Sequence, residues 1–219
     1  MYTLSAGLWE KLFKKKEYYI VIVGLDNVGK NERRPQNYVK VMLLKNVGLR
    51  YCEEISIELT FLEQTKSRFV KGYGAVNPAR ITSTVGLNIG KVEIGNTCLY
   101  FWDLGGQEDL RSLWSSYYDE ANALVFVVDA TRSDLFEEVA TVFKEVMSND
   151  YVRRMPVLVA VNKSEIEGAA TAAEVRCILH DDQHMGDLAV LPVSALEGTN
   201  IDRCVRWIIR SLASQPLYL

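Results

Sequence analysis

A glycine-containing segment near the start of the chain has the residue types and spacing of a phosphate-binding loop. Gly24, Gly29 and Lys30 match the pattern G-x-x-x-x-G-K, in which successive backbone N–H groups point at phosphate oxygens. The lysine of such a loop contacts the β- and γ-phosphates of a nucleotide. Asn31 stands where the pattern has a Ser or Thr whose hydroxyl binds Mg²⁺. A glycine turn after a buried strand is the structural alternative at this point.

Polar residues beside two later apolar runs could take part in the same chemistry. Thr84 precedes the run 87–94 and could give its hydroxyl to Mg²⁺ and its N–H to a γ-phosphate. Asp103 ends the next run and could hold Mg²⁺ through water. The Gly106 N–H could then contact the γ-phosphate, and Gln107 could orient an attacking water. Each segment alone is typical of a turn, but their order after a glycine loop favours a nucleotide site.

Two segments farther along the chain suit a purine base. Asn162 and Lys163 could pack on the base and brace it, and the Glu165 carboxylate could accept from its ring N–H groups. The backbone of Ser194 and Ala195 could meet the base carbonyl. An ATP-dependent enzyme with the same loop is an alternative, which the pair Asn162-Lys163 disfavours.

Short apolar runs alternate with helical patterns through the chain, which predicts a doubly wound α/β sheet with ligands at the carboxyl ends of its strands. Runs that are apolar throughout, such as 123–129, are typical of strands buried on both faces. A turn at Gly95-Asn96 predicts one antiparallel pair at an edge. Strands are predicted at 18–23, 87–94, 98–104, 123–129, 156–162 and 188–193. Helices are predicted near 60–70, 109–120, 134–148, 171–180 and 200–213.

Composition narrows the class of protein. The 219 residues are 48% hydrophobic, enough for one domain with a full core. The net charge of −3 gives no reason to expect a nucleic-acid partner. The four cysteines lie far apart, which favours reduced thiols in the cytosol. No apolar run approaches the roughly 20 residues of a membrane span.

The motifs together resemble the ADP-ribosylation factor family of small GTPases. The resemblance is carried by 24–27 (Gly-Leu-Asp-Asn) and 102–107 (Trp-Asp-Leu-Gly-Gly-Gln). A narrower likeness, to one branch of that family, is carried by residues 1–4, 84–90 and 112–114. The resemblance covers residues 1–30 and 60–213.

The resemblance implies a three-layer P-loop GTPase fold, with a mostly parallel six-stranded sheet and helices on both faces. It implies binding of GTP, GDP and Mg²⁺, with Asp26 and Asn27 among the nucleotide-binding residues. Thr84 is then the sensor of switch I, 103–118 is switch II, and 87–102 is the interswitch. It also implies an exchange factor, effectors and, because no arginine for the transition state is evident, an activating protein for hydrolysis. The effector-contacting apolar triad is expected at Leu87, Trp102 and Tyr117.

Two departures separate the chain from the family pattern. Glu165 stands where the family has Asp, which lengthens the arm that would reach the base. Residues 31–59 lie between Lys30 and Thr60, and without them Thr60 would come close to the loop and could join the Mg²⁺ ligands. Two explanations stay open, translated intron sequence and a genuine insertion. The predicted domains are therefore an N-terminal helix, 1–16, and a GTPase domain, 17–215, interrupted by 31–59.

Residues 2–16 predict an amphipathic helix, with Leu4, Leu8 and Leu12 on its apolar side and lysines at its end. This pattern suits an anionic membrane surface or packing on the domain. Tyr2 excludes N-myristoylation. From the resemblance we expect a peripheral protein of the cytosol and of Golgi (trans-Golgi) membranes that acts as a GTP-dependent switch in traffic. The alternative is a nucleotide-free binding module, disabled by 31–59 and by Glu165.

Overall fold

The computed structural model describes residues 15–25, 57–74, 86–179 and 184–215, with only the backbone of 57–60. The strands are β1 Lys16–Gly24, β2 Leu87–Ile94, β3 Thr97–Leu104, β4 Ala123–Asp129, β5 Val157–Asn162 and β6 Leu188–Pro192. The helices are α1 Ile57–Phe69, α2 Glu108–Arg111, α3 Phe136–Ser148, α4 Ala172–Ile178 and α5 Ile201–Ser214. Short 3-10 turns cover Trp114–Tyr117, Ser133–Leu135 and Val152–Arg154.

The six strands form one sheet in the order β2-β3-β1-β4-β5-β6. All neighbours are parallel except β2, which pairs antiparallel with β3 through a turn at Gly95, whose φ is 58°. Every residue of β4 and β5 is buried, because helices cover both faces of these central strands. The predicted mostly parallel six-stranded sheet, with its antiparallel edge pair, is confirmed.

The pleat of β1 separates two cores. Ile20 and Ile22 face one side and pack with Phe61 and Leu62 of α1 and with the apolar face of α5. Val21 and Val23 face the other side, toward α3 and α4. The three-layer arrangement follows from this alternation of side chains along each strand. It also places the carboxyl ends of β1, β3, β4, β5 and β6 along one edge of the sheet.

The predicted helix 109–120 is wrong in its extent, since α2 ends at Arg111 and a 3-10 turn follows. The cause is the burial of Trp114, whose indole Nε1 donates to the Gly105 carbonyl at 3.0 Å and draws the chain out of helical register. Helix α4 begins where Thr171 and Glu174 form a reciprocal capping box. Among the described helices, none has the length and apolar character that crossing a bilayer requires.

Candidate functional site

The described part of the chain contains most of the predicted site. Gly24 ends β1, and the later site residues from Asp103 onward all lie within described ranges. The predictions for Asp26, Asn27, Gly29, Lys30 and Thr84 fall outside the described residues, as do those for 1–14 and 31–56. Thr60 lies in α1, which begins at Ile57, three residues before the start expected from the sequence.

The strand register places polar residues at the carboxyl ends of neighbouring strands level with one another. Ile22 of β1 is level with Asp103 of β3, and Asp129 of β4 is level with Asn162 of β5. Asp103 is fully buried and Asn162 is 3% exposed. Since burial of polar side chains is costly without partners, their place at the carboxyl edge of the sheet points to a built polar site.

Asn162 joins the two segments predicted to recognise the base. Its Oδ1 accepts from the Ala195 N–H at 2.9 Å, and its backbone carbonyl accepts from the Ala130 N–H at 3.0 Å. Beside it, the Ser164 hydroxyl donates to the Val193 carbonyl at 2.9 Å. The loops after β5 and β6 are thus tied to each other. In this conformation the Ala195 N–H is already bonded, so a base carbonyl would have to share or displace that bond.

Lys163 follows Asn162 in the left-handed region, with φ of 63°. Its Nζ lies 2.5 Å from Asp129 Oδ2, while Oδ1 of the same carboxylate accepts from the N–H and the hydroxyl of Thr131 at 2.9 and 2.6 Å. Sequence reasoning assigned no role to Asp129. The available signal was an acidic residue at the carboxyl end of an otherwise apolar strand. Glu165, three residues after Asn162, is exposed.

The loop after β6 is a tight turn built on Ser194. The Ser194 N–H donates to the Thr199 carbonyl at 3.1 Å, and its carbonyl accepts from the Gly198 N–H at 2.8 Å. The Ser194 hydroxyl accepts from the Glu197 N–H at 3.0 Å. Ser194 and Ala195 are both buried. Their backbone is therefore fixed at the edge of the sheet next to Asn162.

The segment after β3 is held by three hydrogen bonds to backbone carbonyls. The Gly105 N–H donates to Gly86 at 3.0 Å, the Trp114 indole donates to Gly105, and Arg111 Nε donates to Gly106 at 3.1 Å. Arg111 also pairs with Glu138 of α3 at 2.9 Å. Gln107 comes next in extended backbone, immediately before α2, and is half-buried. Gly106 and Gln107 are thus carried by a loop that is anchored on both sides.

An apolar surface lies beside this loop. Leu87 and Ile89 of β2 are 40% and 58% exposed, and the rings of Trp102 and Tyr117 meet edge to face with 5.7 Å between centroids. The structure brings the predicted triad of Leu87, Trp102 and Tyr117 to one end of the β2–β3 pair. A pocket of about 70 Å³ adjoins it. Its walls come from Gly86, Leu87, Leu104, Gly105, Leu110, Leu113, Trp114 and Tyr117.

The described residues include groups suited to a purine base and one carboxylate suited to a metal ion. Asn162, Lys163 and the Ser194–Ala195 backbone supply amide, ammonium and N–H groups at a single corner of the sheet. Asp103 supplies a buried carboxylate, the oxygen ligand type that Mg²⁺ prefers. Asp103 stands alone in this respect, since the part of the chain that the structure describes contains no group of three or more His, Cys, Asp or Glu suited to a metal.

Comparison with known proteins agrees with this geometry. The ADP-ribosylation factor family pattern matches residues 63–212. ADP-ribosylation factor-related protein 1 of Rattus norvegicus and of Homo sapiens are each 36% identical over 213 residues, covering 96% of this chain and 92% of theirs. ADP-ribosylation factor-like protein 3 of Saccharomyces cerevisiae is 29% identical over 224 residues, covering 99% and 98%.

A solved structure has the same fold. The Arl6 BBS3 small GTPase of Trypanosoma brucei, with the bound nucleotide analogue GppNp, superimposes with a TM-score of 0.69 at 25% identity. The match covers 92% of this chain and all of that one. The family resemblance, its narrower branch and the fold expected from the motifs are confirmed. The family pattern begins at Glu63, after the segment 31–59, so it does not include the glycine loop.

Proposed function

The chain belongs to the ADP-ribosylation factor family, and from this premise we propose that it is a GTP-dependent switch that recruits effectors to Golgi membranes and so regulates traffic. Family membership supports guanine-nucleotide binding and the general activity of a GTP hydrolase. The Golgi role, the membrane contact and the hydrolytic activity of this particular chain belong to the proposal.

One observation carries the nucleotide part of the proposal, the bond from the Ala195 N–H to Asn162 Oδ1. It joins two loops that are 33 residues apart and that both carry groups suited to guanine. Lys163, held by Asp129, lies beside them with an apolar stem that can cover a base face. Glu165 is close in sequence and exposed, so its longer arm is free to adjust toward ring N–H groups.

The proposed hydrolysis uses residues on the opposite side of the site. GTP supplies the transferable γ-phosphoryl group, and Mg²⁺ would neutralise phosphate charge beside Asp103, Thr84 and, when the loop and helix are joined directly, Thr60. The Gly106 N–H would hold an oxygen of the terminal phosphate, and Gln107 would orient water. Because Arg111 is engaged by Gly106 and Glu138, an activating protein is expected to supply the arginine for the transition state.

The proposed switch also requires effectors, a membrane surface and an exchange factor. Effectors would dock on Leu87, Trp102 and Tyr117, where half-exposed apolar side chains adjoin a small pocket. Residues 2–16 would contact the membrane through their apolar side. An exchange factor would control loading. The protein would then divide between the cytosol and the trans-Golgi surface according to its nucleotide.

A second candidate is a nucleotide-free binding module. The observation that favours it is the placement of 31–59 between Lys30 and Thr60, together with the start of α1 at Ile57. The phosphate loop and the helix that should follow it are thereby separated in sequence.

Nucleotide titration distinguishes the two candidates. We expect a variant with 31–59 replaced by one threonine to bind fluorescent GTP tightly in the presence of Mg²⁺ and to reject ATP. If 31–59 is translated in the cell, we expect the full 219-residue chain to bind GTP weakly. Failure of that variant to bind GTP would refute the switch and support the module. Micromolar or tighter GTP binding by the chain as written would refute the module and show that 31–59 is tolerated.

A further inference from the structure

The position of α1 is set by the domain core. Phe61 and Leu62 are fully buried against the sheet and α5. Thr65 is also fully buried, with its hydroxyl donating to the Phe61 carbonyl at 2.8 Å. These contacts fix α1 against the domain core.

Gln64 extends from this helix to the loop after β6. Its Nε2 donates to the Leu196 carbonyl at 3.1 Å, across 132 residues of sequence. Its Oε1 would lie only 3.4 Å from a Cβ placed on Gly198. Gly198 has a φ of 78°, so the loop turns tightly against the end of the Gln64 side chain.

The contacted loop is the one that carries Ser194 and Ala195. Leu196 follows Ala195 directly, and the turn is closed by the bonds from Gly198 to the Ser194 carbonyl and from Glu197 to its hydroxyl. On its other side, Ala195 is bonded to Asn162. The loop is therefore held between Asn162 of β5 and Gln64 of α1.

We propose that Gln64 is a positioning residue for the Ser194–Ala195 backbone and so tunes recognition of the carbonyl of guanine. The inference rests on the proposed guanine binding for its effect on affinity, but not for its effect on the loop. Its physical basis is that one hydrogen bond from a helix anchored in the core restrains the loop whose Ser194–Ala195 backbone is proposed to meet the base carbonyl.

Gln64→Met tests this, because methionine keeps the length and bulk of the side chain but cannot donate. Gln64→Glu is the second variant, since it also keeps the length and removes the donor. The matched control is Gln215→Met, which removes a glutamine bond to the Arg154 carbonyl at 3.3 Å in a distant part of the domain. Amide hydrogen exchange without nucleotide reports the loop in every variant.

The expected result is exchange about two- to tenfold faster at Glu197 and Gly198 in both Gln64 variants, the range for losing one neutral hydrogen bond. The control should exchange like the wild type. Unchanged exchange at these amides in folded Gln64→Met and Gln64→Glu would overturn the positioning role, even if the wild type binds no nucleotide.

Affinity then tests the effect on recognition. We expect the preference for GDP over 2-aminopurine riboside diphosphate, which lacks both the carbonyl and the ring N1–H, to fall by a similar factor in Gln64→Met, since the N1–H is equally absent in the wild-type comparison. The preference for GDP over IDP, which reports the exocyclic amine, should stay constant. Equal losses in both preferences would show that Gln64 only stabilises the fold, and would overturn its effect on recognition of the carbonyl. Absence of any GDP binding by the wild type, and by the threonine-replaced chain, would instead refute the proposed function.

Discussion

Lys163 and Asp129 form an ion pair across the edge of the sheet, with 2.5 Å between Nζ and Oδ2. Asp129 ends β4, and Lys163, in a left-handed backbone conformation, follows the last residue of the neighbouring parallel strand β5. Asp129 is 6% exposed at its side chain, against 31% for Lys163. The pair therefore anchors the lysine that is proposed to cover the base.

Asp129→Asn should weaken both the fold and nucleotide binding. We expect a loss of about 1–3 kcal/mol in unfolding free energy, below the value for a fully buried pair because Lys163 is partly solvated. Urea unfolding measures this loss, and nucleotide titration measures the affinity. Lys91→Gln, which removes an exposed pair with Glu93, is the control and should leave the unfolding midpoint unchanged. Equal behaviour of the two variants would contradict the anchoring role of Asp129.

Gln107→Leu should slow hydrolysis and leave GTP binding nearly intact, because the amide is proposed to orient water and not to hold nucleotide. The loss expected with an activating partner is on the order of 10²-fold. Single-turnover phosphate release in the chain with 31–59 replaced by threonine measures it. Ser115→Ala, an exposed change in the next turn, should behave as wild type. Unchanged turnover of Gln107→Leu would remove Gln107 from the mechanism.

Gly90→Ala should destabilise the domain, because β2 passes very close to α1. An added Cβ would lie 2.6 Å from Leu62 Cδ1 and 2.8 Å from Lys66 Cε. Overpacking of this kind costs about 1–3 kcal/mol. Gly74→Ala is a matched control, since a Cβ there meets nothing within 4 Å. Thermal unfolding of the two variants tests the prediction, and a Gly90→Ala variant as stable as Gly74→Ala would show that α1 moves aside freely.

Tyr73 should make the unfolding free energy of the domain fall as the pH rises above 10. Burial, followed by its hydrogen bond to Glu63, raises the pKa of Tyr73 from 10.0 to about 12. A raised folded-state pKa favours the protonated folded form. This contribution is therefore complete below pH 10 and is lost as the pH rises toward about 12. Unfolding free energy measured from pH 9 to 12 should fall less steeply in Tyr73→Phe, and identical curves would exclude the effect.

The double substitution Leu8→Glu with Leu12→Glu should move the protein from membranes to the soluble fraction. The test uses the GTP-loaded variant in which one threonine replaces residues 31–59. The two leucines lie on the predicted apolar side of residues 2–16, where each buried side chain contributes about 1.5–3 kcal/mol at full burial and less at an interface. Flotation with anionic liposomes measures the change. Thr3→Glu, on the polar side, is the control. Full retention of the double variant would assign membrane docking to another surface.

The sequence by itself determined the local elements and the chemical types at the site. The apolar runs of β4 and β5 identify buried parallel strands because a strand covered on both faces needs no polar alternation. The segment 102–107 and the pair Asn162-Lys163 predict nucleotide chemistry, through their resemblance to the family pattern. The extent of the helix predicted at 109–120 was wrong, since a helical pattern does not reveal that the Trp114 indole bonds to Gly105. The helix predicted from residue 60 also begins earlier, at Ile57.

The tertiary structure alone decided how these groups support one another. Asp129 holds Lys163 across 34 residues, and Gln64 reaches Leu196 across 132. Neither contact has a local sequence pattern, because each depends on which strands become neighbours and on how α1 packs over them. That packing is set by burial of whole apolar faces, a collective energy to which many distant residues contribute. It places Gln64 against the loop after β6.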